Sequence, residues 1–303
     1  MKNIKIFGSI PAIVTPFKKN GDLDLIALKK LVGYQLDGGV DAIVVAGSTG
    51  EAATLNDEEY FIVIKTVAEK VAANKRKIPV IAGAGSNNTT KAIYLSNLAK
   101  SAGADGLLHV TPYYNKPTPN GLVLHFKEIS KAVDMPIIIY NVPGRTGSNV
   151  SPQVIARIAR EVPNVVAVKE ASGSLNQMME IINEMGKNGP KDFAVLSGDD
   201  ALALPLFVLG GRGCISVVCN EVPKLFSNMI HFALEGNFKE AKELHYKMLN
   251  LMNANFVESN PIPVKTALSM MGFIEESLRL PLTVIEEKNR ISVEKALKEL
   301  KLI

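Results

Sequence analysis

Cysteine is scarce in this chain, and long apolar runs are missing. The 303 residues include two cysteines, Cys214 and Cys219. They sit around the end of one expected strand, which argues against a disulfide between them, and no Cys-x-x-Cys occurs. Both read as buried free thiols. The four histidines, His109, His125, His231 and His245, form no His-x-His or His-x-x-x-His pair. Zinc-type spacing is therefore absent, and no metal is expected. No apolar stretch approaches the roughly 18 residues of a membrane span. The opening MKNIKIFGSIPAIVTPF is interrupted by Gly8 and Pro11, so a secretory segment is not expected. An excess of one charge is lacking too. The formal net charge of +4 is too small and too dispersed to point to nucleic acid. A reduced, cytoplasmic, soluble protein fits.

The pattern that is present is alternation. Short β-branched runs recur at 11–17, 41–47, 78–83, 105–111, 135–141, 165–170, 193–198 and 213–218. They are apolar on both faces, as parallel strands covered by helices require. Between them lie segments of helical period. One ends on Gly38-Gly39, and another opens on Asn56 with acidic residues in its first turn. Eight such units predict an α/β fold, a (β/α)8 TIM barrel, with a doubly wound open sheet as the alternative. Strand signals stop after residue 220. The barrel is assigned to residues 1–235 and a C-terminal helical region to 236–303.

In such a barrel the chemistry lies where the strands end. GAGSNN (83–88) resembles part of a dinucleotide fingerprint, but Asn88 stands where the third glycine belongs, so an ordinary strand-to-helix turn is expected. GSTGE (47–51) lacks the Gly-Lys of a phosphate loop, yet its N–H groups and two hydroxyls suit a carboxylate. In SGDD (197–200), Ser197 or an aspartate is expected to cap the next helix. The sixth strand, VVAVKE, ends on Lys169. A partly desolvated lysine favours its neutral amine, which can attack a carbonyl and form a Schiff base. The competing reading pairs Lys169 with Glu170. Tyr140, ending the neighbouring strand, could shuttle the protons of imine formation. Arg145, in a Pro-Gly loop, could hold a substrate carboxylate with its planar fork.

GSTGEAATL, VTPYYNKP, YNVPGRTG, VKEASG, SGDD and NPIPVKTAL occur in an order and spacing that resemble the pyruvate-dependent class I aldolases of the dihydrodipicolinate synthase and N-acetylneuraminate lyase family. The resemblance runs over essentially the whole chain. It implies that Lys169 forms the imine with pyruvate and that Tyr140 is the acid/base residue beside it. Ser48 and Tyr114 complete a proton relay, Tyr114 reaching into a partner subunit's site. Ser48 and Thr49 bind the pyruvate carboxylate, Arg145 binds that of a second substrate, and Ile215 offers a backbone carbonyl near the lysine. No cofactor is implied. A homo-oligomer is, as a tight dimer that commonly pairs into a tetramer.

Arg145 and the paired tyrosines point to the synthase branch, which condenses pyruvate with aspartate 4-semialdehyde to 4-hydroxy-tetrahydrodipicolinate for diaminopimelate and lysine biosynthesis. Ser48 stands where synthases usually have threonine, a form more typical of the lyases, which cleave N-acetylneuraminate or keto sugar acids. That branch is the alternative, and a non-catalytic barrel that binds a metabolite is the third reading. Family members inhibited by lysine use an acidic residue and a histidine at positions matching Lys91 and Asp57 here, with Tyr60 where a second basic residue often sits. Lys91 would repel the ligand's ammonium groups, so insensitivity to lysine is expected.

Overall fold

The computed structural model describes residue 4 and residues 6–303. Part of the basic opening segment lies outside the described residues. Eight strands carry the fold: β1 (Gly8–Pro11), β2 (Ile43–Val45), β3 (Val80–Gly83), β4 (Gly106–Val110), β5 (Ile137–Asn141), β6 (Val165–Glu170), β7 (Ala194–Ser197) and β8 (Gly213–Ser216). All neighbouring pairs are parallel, in the order β1-β8-β7-β6-β5-β4-β3-β2. The ring closes between β1 and β2: Ala12 bridges Val44, and the Ile13 N–H donates to the Val44 carbonyl at 2.9 Å. This is the TIM barrel expected from the alternation.

Each strand is followed by a helix on the outside of the ring. In chain order these are α1 (Leu25–Asp37), α2 (Asp57–Ala72), α3 (Thr89–Ser101), α4 (Pro119–Ala132), the single turn α5 (Pro143–Thr146), α6 (Pro152–Glu161), α7 (Leu175–Asn188), α8 (Ala203–Val208) and α9 (Pro223–Leu234). Short polar side chains set where they begin. Asp24, Asn88, Thr118, Ser151 and Ser174 each accept from a first-turn N–H, and Asn56 with Glu59 forms a reciprocal capping box. GAGSNN is accordingly a strand-to-helix turn whose Asn88 caps α3.

Alternation along each strand separates two apolar layers. Ile10, Val44, Ile81, Leu108, Ile138, Ala167, Leu196 and Ile215 fill the barrel interior. Val45, Leu107, Ile139, Val168 and Val195 face outward into a larger layer shared with the helices. That layer continues into α10 (Phe238–Ala254), α11 (Ile262–Met270) and α12 (Glu287–Glu299). α10 packs on α9, and α12 on α10 and α11.

The first strand differs from the run expected at 11–17. Its ladder ends at Pro11, and Pro16 offers no donor either. Beyond the Ala12 bridge, residues 13–16 continue as buried chain outside the strand, held in part by side chains: Val14 N–H donates to Asn220 Oδ1 at 3.1 Å, and Thr15 Oγ1 to the Gly50 carbonyl at 2.7 Å.

His109 on β4 faces outward against α3. Ser96 Oγ gives its proton to the Ala92 carbonyl, so His109 Nε2, 3.2 Å away, donates to Ser96, and among the described residues Nδ1 has no partner. His125 on α4 meets Thr89 Oγ1 at 2.9 Å, and both rings stand edge-on to Phe126. Burial pushes His109 down to about 3 and His125 to about 4, from the ordinary 6.5. The folded chain therefore binds fewer protons at this pair than the unfolded chain. The stability it contributes is complete above pH about 6.5 and is lost as pH falls towards those folded values. Urea midpoints at pH 7 and pH 5 test this. His109→Leu should lose less stability than the wild type over that interval; equal losses would contradict it.

Candidate active site

A cavity of about 580 Å³ opens at the C-terminal ends of the strands. Ser48, Thr49, Tyr140, Arg145 and Lys169 all line it. These residues are separated by up to 121 positions in the sequence.

Lys169 is positioned by the pleat of β6. It shares the inward face with Ala167, while Glu170 turns outward. The Glu170 carboxylate is used up there: it accepts from Asn141 Nδ2 at 2.9 Å, Gln177 Nε2 at 3.0 Å and the Ser172 N–H at 2.8 Å. The competing Lys169–Glu170 pair is therefore not formed. Among the described residues no carboxylate pairs with Lys169, although it is only 6% exposed. Its Nζ lies 4.4 Å from the centroid of the Tyr140 ring, on the strand neighbour directly in register.

Opposite lies the turn 46–51. Ala46 and Glu51 bracket it in the left-handed region, at φ 52° and 50°. Gly47 O accepts from Gly50 N–H at 3.1 Å and Ala52 N–H at 3.2 Å, and Ser48 O accepts from Glu51 N–H at 3.1 Å. Among the described residues, no carbonyl takes up the Ser48 or Thr49 N–H. Ser48 is exposed and Thr49 buried, so the turn offers free donors at the cavity wall. The turn leads into a single 3-10 turn, Ala52–Thr54, with α2 following later.

Arg145 sits on α5, exposed at the rim, and its Nη2 donates to the Asn260 carbonyl at 3.0 Å. Asn260 was quoted above only within NPIPVKTAL, without a role. It is buried, lines the cavity, and donates from Nδ2 to Thr49 Oγ1 at 2.9 Å. One residue before α11 thus touches both groups read as carboxylate binders.

SGDD does not cap a helix. α8 begins six residues after Ser197, with no side-chain cap. Asp200 is buried, and its Oδ2 accepts from the Val217 and Val218 N–H groups at 3.1 and 2.9 Å, tying the ends of β7 and β8 together. Burial holds its carboxyl above the usual range. Gly198 is required by clearance: a Cβ there would stand 2.6 Å from Ala171 Cβ and 3.0 Å from Lys169 Cε.

Two expected site residues stay outside this chain's cavity. Tyr114 is 89% exposed, at φ 66°, and Tyr113 lines the cavity instead. Ile215 is fully buried in the inner core with Tyr140 and does not line the cavity. Cys214 and Cys219 are buried free thiols, both pushed up by burial.

One flank of the cavity carries Asp57, Tyr60 and Lys91. Lys91 Nζ pairs with Asp57 Oδ1 at 2.9 Å, and Tyr94 OH donates to Oδ2 at 3.0 Å. These bonds, Lys91 first, hold the Asp57 carboxyl below its ordinary value. Among the described residues, no group of three His, Cys, Asp or Glu side chains could hold a metal, and no helix is long and apolar enough to cross a membrane.

Residues 5–300 match the model of the dihydrodipicolinate synthetase family. A 4-hydroxy-tetrahydrodipicolinate synthase of Maridesulfovibrio salexigens is 52% identical over 291 residues, 96% of this chain and 97% of the relative. The chloride-inhibited dihydrodipicolinate synthase of Acinetobacter baumannii, solved with pyruvate, superposes with a TM-score of 0.94 at 47% identity, over 99% of this chain and 100% of that one. The enzyme of Cyanidioschyzon merolae, solved with lysine bound, gives 0.93 at 42% identity, over the same shares. With the barrel and its lysine-centred cavity in place, these likenesses make the chain a member of the dihydrodipicolinate synthetase family.

Proposed function

We propose that this chain condenses pyruvate with aspartate 4-semialdehyde to give 4-hydroxy-tetrahydrodipicolinate, in the diaminopimelate route to lysine. The observation that carries this reading is Lys169: a buried amine without a carboxylate partner among the described residues, facing Tyr140 inside the barrel mouth. The synthase names of the relatives favour this activity over the lyase alternative.

The barrel residues 1–235 carry the chemistry, with 236–303 as a helical region whose Asn260 reaches the cavity wall. The pyruvate carboxylate sits on the free N–H groups and hydroxyls of Ser48 and Thr49. The Lys169 amine attacks the C2 carbonyl, water leaves, and Tyr140 carries the protons. The imine nitrogen then acts as the electron sink, so loss of a C3 proton gives an enamine without a metal or cofactor. Arg145, steadied by Asn260, binds the carboxylate of the second substrate. The enamine attacks its aldehyde, and the amino group of the adduct then attacks C2, closing the ring and releasing Lys169.

Tyr114 cannot serve the cavity of its own chain from an exposed loop. Its place in the relay with Ser48 and Tyr140 is in a partner subunit, so a dimer is the minimal active form, with pairing into a tetramer. Ile215 contributes a backbone carbonyl below the lysine. The whole acts in the cytoplasm.

Lys169→Met should lower turnover by about 10³-fold or more, equivalent to about 4 kcal/mol, with an unchanged circular dichroism spectrum. Turnover within tenfold of wild type would contradict the assignment. Initial rates should follow ping-pong kinetics with pyruvate first.

Arg145→Ala removes a charge-assisted contact. It should raise KM for aspartate 4-semialdehyde by about 10- to 100-fold and leave KM for pyruvate nearly unchanged. A change confined to pyruvate would reverse the two carboxylate assignments.

The Lys91–Asp57 pair places a cation where a lysine ligand would bring its own. Submillimolar L-lysine should leave the steady-state rate unchanged; inhibition in that range would refute the electrostatic argument.

A further inference from the structure

Outside the reacting groups, a fully buried ion pair stands at Lys265 on α11. Its side chain has no solvent exposure. Nζ donates to Glu51 Oε1 at 2.5 Å and to the Thr15 carbonyl at 3.0 Å, and lies 4.3 Å from the centroid of the Phe17 ring. Glu51 is equally buried, and its Oε2 accepts from the Arg279 N–H at 3.1 Å. Desolvating two charges is costly, and an apolar pair of the same volume often serves a core as well. Packing alone does not account for the pair.

Its position does. Glu51 ends the turn that presents Ser48 and Thr49, in a left-handed conformation that a side-chain-bearing residue keeps only where its surroundings over-determine it. The supports come from elsewhere in the chain. Thr15 Oγ1 holds Gly50, Asn260 Nδ2 holds Thr49, and Lys265 joins Glu51 to Thr15. Lys265 therefore closes a ring of contacts around the far end of the turn.

We propose that Glu51 and Lys265 are positioning residues for the pyruvate carboxylate: their buried pair locks the turn so that the Ser48 and Thr49 N–H groups face the cavity. The inference depends on the reading of Lys169 as the imine-forming residue. Neither side chain touches substrate. Through them the C-terminal region shapes the first-substrate site.

The test uses full-length Lys265→Met, Glu51→Gln and the double variant Glu51→Leu/Lys265→Met. Each should raise KM for pyruvate by about 10-fold or more, since small misplacement of a binding group is costly. KM for aspartate 4-semialdehyde should stay within about twofold. The single variants each strand a buried partner and should lose thermal stability. The double variant should recover that stability and still show the raised pyruvate KM. A double variant with wild-type pyruvate KM would overturn the proposal, as would equal rises in both KM values. Failure of the Lys169 reading shows separately: wild-type protein with pyruvate and borohydride would then yield no adduct, and the inference would fall with it.

Discussion

An amine held inside a barrel mouth without a counter-ion is the constraint around which this structure is organised. Lys169 is nearly buried, and among the described residues no carboxylate neutralises it. The pleat of β6 achieves this by sending Glu170 to the opposite face, where Asn141, Gln177 and the Ser172 N–H absorb its charge. The adjacent ring face of Tyr140 and the small Gly198 leave room for a carbonyl carbon instead.

The rest of the site can be understood as support for two anions on either side of that amine. One wall is a turn with free N–H groups, bracketed by two left-handed residues. The rim carries a guanidinium. Asn260 touches both, through its side chain to Thr49 and its carbonyl to Arg145. Hydrogen bonds between segments distant in sequence tie the three together, as a site assembled from loops requires.

Much of this was legible in the sequence. Two-face apolar runs alternating with capped helical segments specify the barrel, and strand ends specify where to look for chemistry. Lys169, Tyr140, Ser48, Thr49 and Arg145 are singled out in that way, or from motifs at those ends, and the structure brings them to one cavity. What escaped has a common cause. Asn260, Lys265 and Glu51 act through contacts spanning more than 200 positions, for which local periodicity carries no signal. The cap expected from Ser197 or an aspartate of SGDD is not formed, because a capping aspartate and one that, like Asp200, binds two backbone N–H groups beyond another strand look alike in sequence. The first strand was placed too late because Pro16 and its apolar neighbours are buried without belonging to the ladder. Tyr114 remains a residue whose use depends on a second copy of the chain.

The central claim is that Lys169 forms a covalent imine with pyruvate. The most direct measurement is reduction of the protein with borohydride in the presence of pyruvate alone, followed by peptide mapping by mass spectrometry. The account predicts a single reduced adduct on Lys169, formed without the second substrate. An adduct on another lysine, or none at saturating pyruvate, would contradict it.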